Sequence, residues 1–443
     1  MALSGLDIYK LLPKTNCKEC GVATCLAFAM QLAKKAVSVE KCPYVSQATK
    51  ATLDAASQPP VKLLSLGSGD AKFDLGNETV MFRHEEKFRN PTGLGFIIED
   101  SLSDSEIKSR LVKIDHLSFE RVGQKLDVNL IAVKQTKDAV RFVQAVKLVA
   151  ANSKLAVALM SKDLQALKEA LALVKDRRPL IYGADGQNFA EMGKLAKEFN
   201  AALAVIARDL EEAAGLTQEL VKLGVNDLII DTGSKRISDK IWDLTQGRRL
   251  ALKKSLRSLG YPVLAVVEQD DPYEETLEAA TYILKYASLV LLKGVETWQV
   301  LSLLTLRQNI YTDPQKPLQI EPKVYAIGSA GKNSPVLVTT NFSLTYYTVV
   351  GEVEASKVPS YIISVDTEGM SVLTAWAAEK FTPEKISESL NKFGVGDLVV
   401  QRKLIIPGYV AVMSGDLEEQ SGWKVTVGPK EAAGLPSFLK NLS

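Results

Sequence analysis

The chain has 443 residues, 46% hydrophobic and 24% charged, a globular composition with enough apolar material for several cores and length for about two to four domains. Lys and Arg total 54 against 52 for Asp and Glu, so the +2 balance supplies no field that would gather nucleic acid or an anionic membrane. No apolar run approaches the roughly 18 residues of a membrane span, and the amino terminus lacks a signal peptide's apolar stretch and cleavage site, which points to the cytoplasm.

All four cysteines, Cys17, Cys20, Cys25 and Cys42, fall within the first 42 residues, unlike disulfides spread to staple a fold. Gaps of two and four residues let one loop turn three thiolates inward, and Gly21 permits the bend. Cys42 stands alone before Pro43, whereas zinc sites usually join two short-gapped pairs; the spacing favours a 4Fe-4S cluster, with structural zinc and free thiols as alternatives. Leu26, Phe28, Ala29, Leu32 and Ala33 recur at helical spacing and predict a short helix under the loop. A module of about 55 residues buries little, so ligation should supply much of its folding energy.

After the Gln58-Pro59-Pro60 break, residues 59–92 read as a linker with some structure, turned at Gly67-Ser68-Gly69-Asp70. From 93 to about 325, apolar β-rich runs alternate with helical segments. Strands are predicted at Gly93–Glu99, Asp127–Val133, Lys154–Met160, Pro179–Gly183, Ala202–Ala207, Asp227–Asp231, Pro262–Val267 and Ser288–Leu292. Eight strand-helix units imply a (β/α)8 TIM barrel, with Glu99-Asp100, Asp185, Asp231 and Glu268-Asp270-Asp271 at strand ends. These carboxylates form no motif, and capping the next helix is their bland role. His84 and His116 lack neighbouring ligand residues and read as surface or satisfied core histidines.

Residues 326–443 resume the alternation, with strands predicted at Val336–Thr339, Tyr361–Val365, Leu398–Val400, Tyr409–Met413 and Trp423–Val427 and helices at 371–380 and 383–390. A small doubly wound α/β domain follows. Two polar loops stand out at strand ends, Thr339–Tyr347 and Asp366–Thr374, the second running into a helix amino terminus where free N–H groups can meet a polar ligand. Turn and capping roles would explain the same residues. No G-x-G-x-x-G follows a strand there, which disfavours a dinucleotide site.

The order of parts, with Cys-x2-Cys-x4-Cys-x16-Cys first and TTNFSLTYY and SVDTEGMSVLTAW last, resembles over the full length the large (gamma) subunits of corrinoid iron-sulfur proteins in the acetyl-CoA decarbonylase/synthase (Wood-Ljungdahl) system. The resemblance implies an α/β multidomain chain: a 4Fe-4S domain over 1–58, a barrel over 93–325 and a corrinoid-binding domain over 326–443. It implies a methyl carrier, which is not a self-contained enzyme. Cobalt as Co(I) accepts methyl from methyltetrahydrofolate on a methyltransferase, and methyl-Co(III) delivers it to acetyl-CoA synthase. The cluster returns electrons to cobalt that has slipped to Co(II). Implied partners are a small barrel subunit forming a heterodimer, the methyltransferase, CO dehydrogenase/acetyl-CoA synthase and a ferredoxin-type donor.

By motif match, cluster ligation falls to Cys17, Cys20, Cys25 and Cys42, and corrinoid contacts to Thr340, Asn341, Thr345, Tyr346, Gly369, Met370, Ser371, Val372, Leu373, Thr374 and Ala433, the last within a loop at about 428–433. Thr374 is expected nearest cobalt's lower face. Both histidines precede the terminal domain, so the corrinoid (cobalamin-type) is expected base-off with no protein histidine. Such a cobalt lacks a strong lower donor and is easier to reduce. Hinges are expected near 58–92 and 320–335. The competing readings are a ferredoxin-like electron-transfer subunit and a barrel methyltransferase with a structural cluster.

Overall fold

The computed structural model describes residues 5–33, 36–46, 49–50, 53, 59–233 and 236–442; Gln58, the expected first boundary, lies outside them. The chain divides into two compact units, Met1–Ser118 with Asp127–Tyr311, and Phe119–Leu126 with Thr312–Ser443.

The first unit begins with α1 (Gly5–Leu11) and α2 (Cys25–Ala33), which pack on one another. The predicted helix under the cysteine loop is thus α2, and Cys25 itself starts it. Next come β1 (Leu63–Leu66) and β2 (Phe73–Gly76), an antiparallel hairpin. Residues 59–92 therefore do not behave as a linker. Leu64, Leu66 and Leu75 are buried in one cluster with Leu130, Ala156, Leu180, Ala202, Leu264 and Leu289, which lie at the amino-terminal ends of the barrel strands. The hairpin plugs that end. Buried Glu78 pairs with buried Arg248 at 3.0 Å, whose guanidinium also lies against the Phe88 and Tyr286 rings, fastening the segment to a barrel helix. A segment so packed is no hinge.

The barrel alternates β3 (Gly93–Glu99), α3 (Asp104–Asp115), β6 (Leu130–Lys134), α4 (Ala139–Asn152), β7 (Ala156–Met160), α5 (Leu164–Val174), β8 (Leu180–Ala184) and α6 (Phe189–Glu198); between α3 and β6 the chain makes the hairpin β4 (Ser118–Arg121) and β5 (Gln124–Asp127), whose residues Phe119–Leu126 belong to the second unit. It continues with β9 (Ala202–Ile206), α7 (Leu210–Lys222), β10 (Leu228–Asp231), α8 (Ile237–Lys253), β11 (Leu264–Val267), α9 (Pro272–Leu284), β12 (Leu289–Leu292) and α10 (Thr297–Tyr311). The eight barrel strands run parallel in the order β10-β9-β8-β7-β6-β3-β12-β11, and a parallel bridge between Ile230 and Val263 nearly closes the ring. Each coincides with one of the eight predicted runs. Strands such as β7 and β12 are buried along their whole length, because a parallel barrel covers both faces of every strand.

Sequence also supplies the helix starts. Ser103 and Glu106 form a capping box on α3, and Asp138, Asp163, Asp209 and Asp271 cap α4, α5, α7 and α9.

The second unit holds β13 (Val324–Ile327), β14 (Val336–Thr340), α11 (Ser343–Ser356), β15 (Ser360–Val365), α12 (Val372–Ala377), α13 (Pro383–Lys392), α14 (Val395–Leu398), β16 (Lys403–Ile406), α15 (Ser414–Ser421), β17 (Lys424–Val427) and α16 (Leu435–Lys440). Sheet order is β13-β15-β14-β16-β17, with β13 antiparallel at the edge and the rest parallel. Connections from β14 run first to β15 and then to β16 on its other side, so the strand order reverses beside β14, as in doubly wound folds.

Several expectations are corrected here. Leu398 ends α14 and is followed by extended residues outside the sheet, while Gly408–Met413 is a 3-10 segment. The strand between them is β16, whose short run Leu404-Ile405-Ile406 is closed by Pro407. The expected polar loop to Tyr347 is cut short by α11, and 320–335 contributes edge strand β13 rather than a hinge.

Candidate functional site

Two places gather the residues singled out in the sequence. In the amino-terminal module, Cys25 and Cys42 are buried in one small core with Cys20 packed against it, and Cys17 is exposed; all four are free of disulfides. The loop's shape comes from left-handed backbone at Lys14, Asn16 and Lys18 as well as Gly21, at φ of 62°, 49°, 67° and 81°. Three non-glycine residues in that region mark a loop held by more than local preference.

Asn16 pins it. Its side chain accepts from Cys25 N–H at 2.8 Å, while its own N–H lies 3.4 Å from Cys25 Sγ. Across the module, Tyr44 donates to Glu19 at 2.7 Å, tying the Cys42 branch to the Cys17–Cys20 loop. Among the described residues, no three Cys, His, Asp or Glu side chains converge as ligands of a single ion do. Thiolates of a multi-iron cluster each bond a different iron and stand further apart, so four free thiols in one loop system with an N–H aimed at sulfur suit a cluster.

The second place is a cavity of about 330 Å³ in the second unit. It opens beyond the carboxyl ends of β14 and β16, walled by Thr345 and Val349 of α11, Ser371–Leu373 at the start of α12, and Gly428–Ala432 after β17. Ligands settle at such a crevice in doubly wound sheets. Thr339 lines it, and the Thr339 hydroxyl is buried without a hydrogen-bond partner. Ser364, its register partner on β15, and neighbouring Thr340 are orphaned too. Buried hydroxyls are ordinarily satisfied, and of these three only that of Thr339 stands in the cavity wall, where a ligand could bond it.

Of the eleven residues carried over from the resemblance, Thr345, Ser371, Val372 and Leu373 line the cavity. Ala433 is exposed beside Ala432 on its wall, and Thr374 is exposed one turn into α12, its hydroxyl 3.0 Å from that of Ser371. Thr340 is fully buried. Tyr346 is not on the wall; it packs in the core under α11, its ring 4.7 Å from Tyr325 and 5.2 Å from Tyr347. Burial pushes Tyr325 up to about 12 and Tyr346 higher, so both stay neutral phenols.

Asn341 and Gly369 are buried, and Met370 packs into the core on the other face of the sheet. Sequence reasoning missed Leu337, Val349, Ile405 and Leu435, since apolar residues on a cavity wall carry the same periodic signal as core.

At the carboxyl end of the barrel most of the singled-out carboxylates are bonded within the chain. Asp100 accepts from Thr136 and Lys137 N–H groups, and Asp185 from Lys162 and Gln187. Asp231 binds Lys240 at 2.5 Å, Tyr182 at 2.8 Å and Gly233 N–H. Glu268 takes Lys134, and Asp271 caps α9. His84 stacks on Phe82, and His116 caps α3 with Nδ1 2.7 Å from the Val112 carbonyl.

A family model described as CO dehydrogenase/acetyl-CoA synthase delta subunit matches residues 64–439, and an Fe-S cluster model matches residues 12–44. The chain is 48% identical to the corrinoid/iron-sulfur protein large subunit of Moorella thermoacetica, covering 99% of both chains. It is 36% identical to the acetyl-CoA decarbonylase/synthase complex subunit gamma of Methanothermobacter thermautotrophicus, covering 100% of both. Among solved structures, dihydropteroate synthase from Thermus thermophilus matches with a TM-score of 0.40 at 15% identity, over 56% of this chain and 100% of that one.

Proposed function

The chain belongs to the family of corrinoid/iron-sulfur protein large subunits, the gamma subunits of acetyl-CoA decarbonylase/synthase, and from that premise we propose that it carries methyl groups on a bound corrinoid. The observation that carries the proposal is the cavity beyond β14 and β16 with the orphaned Thr339 hydroxyl in its wall. A corrinoid has amide side chains that can satisfy such hydroxyls and an apolar body that suits Leu337, Val349 and Leu373. The bound corrinoid supplies a cobalt nucleophile able to accept a methyl group and pass it on.

The chain's residues hold and shield that group. Thr345, Ser371, Val372 and Leu373 would form the walls, Ala433 would stand at the rim, and Thr374 would be the residue on the cobalt side of the α12 edge. The second unit contains no histidine, since His84 and His116 both precede it, so its own residues would offer cobalt no imidazole, and a base-off corrinoid would suit it. Cys17, Cys20, Cys25 and Cys42 would hold a 4Fe-4S cluster, which would supply one-electron chemistry for returning oxidised cobalt to its reactive state. Methyl arrives from methyltetrahydrofolate through a separate methyltransferase and leaves to CO dehydrogenase/acetyl-CoA synthase. A small barrel subunit and a ferredoxin-type donor complete the set in the cytoplasm. The barrel, whose buried strand-end carboxylates Asp100 and Asp231 are bonded within the chain, serves as scaffold and docking body.

Anaerobic purification with metal analysis and visible and EPR spectroscopy tests this. The expected result is about one cobalt and about four irons per chain, with a Co(II) signal free of nitrogen splitting. Protein that neither retains cobalt nor takes up hydroxocobalamin would overturn the carrier reading. Replacing Cys20 by Ser should spare methyl transfer from pre-reduced cobalt and abolish reactivation by protein electron donors.

A further inference from the structure

Asn341 sits in the conspicuous TTNFSLTYY segment, yet its amide faces away from any ligand. It is 1% exposed. Oδ1 accepts from Thr367 N–H at 2.9 Å and Gly369 N–H at 3.0 Å, and the Thr367 hydroxyl also lies 3.0 Å away. Nδ2 donates to Gln319 Oε1 and Asp366 Oδ1, each at 3.2 Å. Two backbone donors on one side and a carboxylate on the other fix the orientation of the amide. Both its hydrogens and both its lone pairs are spent, so nothing remains for a cofactor.

Those bonds join three segments: Gln319 before β13, Asn341 at the end of β14, and the turn 366–370 after β15. The turn is unusual backbone, with Glu368 and Gly369 at φ of 55° and 74°. A Cβ on Gly369 would stand 2.6 Å from Gln319 Cγ, so the turn is pressed against the segment that Asn341 also holds. Directly after it come Ser371, Val372 and Leu373 on the cavity wall. A short helix of six residues, α12, has little stability of its own, so its placement depends on what precedes it.

We propose that Asn341 is a positioning residue: it sets the height and tilt of the Ser371–Thr374 edge under the corrinoid through the 366–370 turn, without touching the cofactor. This rests on the corrinoid occupying the cavity, and it separates Asn341 from Thr345, which lines that cavity.

The test compares parent holoprotein with N341D and the double variant N341D/D366N. Asp at 341 keeps shape and accepting oxygens but loses both donors and sets a carboxylate against Asp366; Asn at 366 removes that like charge. N341D should release corrinoid on the order of tenfold more readily, as for one lost buried hydrogen bond, with an altered Co(II) EPR line shape and Co(II)/Co(I) midpoint potential. The double variant should return both toward the parent. A variant that unfolds less readily or equally, binds hydroxocobalamin as the parent does and keeps the parental EPR signal would overturn the proposal. So would a lowered melting temperature with EPR and potential unchanged, because a merely structural brace gives that result. If the parent itself holds no corrinoid, the underlying cavity reading fails instead, and the cobalt analysis of the parent shows it before any variant is made.

Discussion

The two parallel sheets of this chain end in opposite ways. Where barrel strands finish, each buried charge has found its partner, as Asp231 has with Lys240 and Tyr182, and burial beside that carboxylate raises the Tyr182 phenol so that it remains a donor. Where the terminal sheet finishes, register partners Thr339 and Ser364 hold buried hydroxyls that bond to nothing. The barrel has orphaned atoms too, among them Arg110 Nε, Arg178 Nε and oxygens of Thr232, Ser258 and Gln299, but these are dispersed over separate segments rather than paired across adjacent strands. A satisfied buried polar group stabilises a scaffold, whereas a set of unsatisfied ones on neighbouring strands describes a ligand. The difference is what the proposed roles require: a scaffold in the first unit's barrel and a ligand site in the second.

The largest loss is expected from unpairing a buried charge of the barrel. Glu78→Ala leaves the Arg248 guanidinium, 8% exposed, without its carboxylate. Stripping one partner from a buried pair costs about 3–5 kcal/mol, so urea unfolding of the first unit should shift by that amount. A loss under about 1 kcal/mol would mean that the paired charges contribute little to the scaffold.

Next in size is Leu66→Ala in the hairpin plug. Leu66 is fully buried, and such truncations cost about 2–5 kcal/mol with the cavity they leave. A true linker would lose almost nothing, so the same unfolding measurement decides whether 59–92 is barrel.

That hairpin shows where sequence reading stopped. All eight barrel strands were legible because buried parallel strands are continuous apolar runs between helical periods. Leu63–Leu66 has the same kind of run, but four residues between Pro59-Pro60 and a glycine turn look like connection, and only the ring of strand ends it seals reveals the role. In the terminal sheet, β16 was hidden between two better apolar stretches, one a helix and one a 3-10 segment.

The iron-sulfur character of the amino-terminal segment was legible, since cysteine spacing is local, and an Fe-S cluster model matches residues 12–44. The cavity was legible in part: Ser371–Leu373 line it, but Tyr346 and Asn341, in an equally suggestive motif, turn into the core. A motif names a segment, and only packing says which side chains of it face a ligand.

The comparison is sharpened by making one substitution on both sides of it. Thr217 in the barrel is fully buried, its hydroxyl 2.6 Å from the Ser258 carbonyl and 3.0 Å from that of Ala214. Thr217→Val should destabilise by roughly 1–3 kcal/mol, because it strands a buried acceptor.

Thr339→Val, with the same change of shape and the same burial, should act in the opposite sense. In the ligand-free protein it removes a desolvated hydroxyl that bonds to nothing, so stability should hold or rise by about 1 kcal/mol. In the presence of hydroxocobalamin it removes the donor the cavity wall reserves, and affinity should fall by about five- to tenfold, the worth of one hydrogen bond. A stability that falls as it does at Thr217 would mean that the Thr339 hydroxyl is satisfied within the chain, and the case for an unfinished wall would go with it. Gain in the empty protein and loss in the loaded one are what a site built for a ligand requires, because the same atom is a cost without its partner and a contact with it.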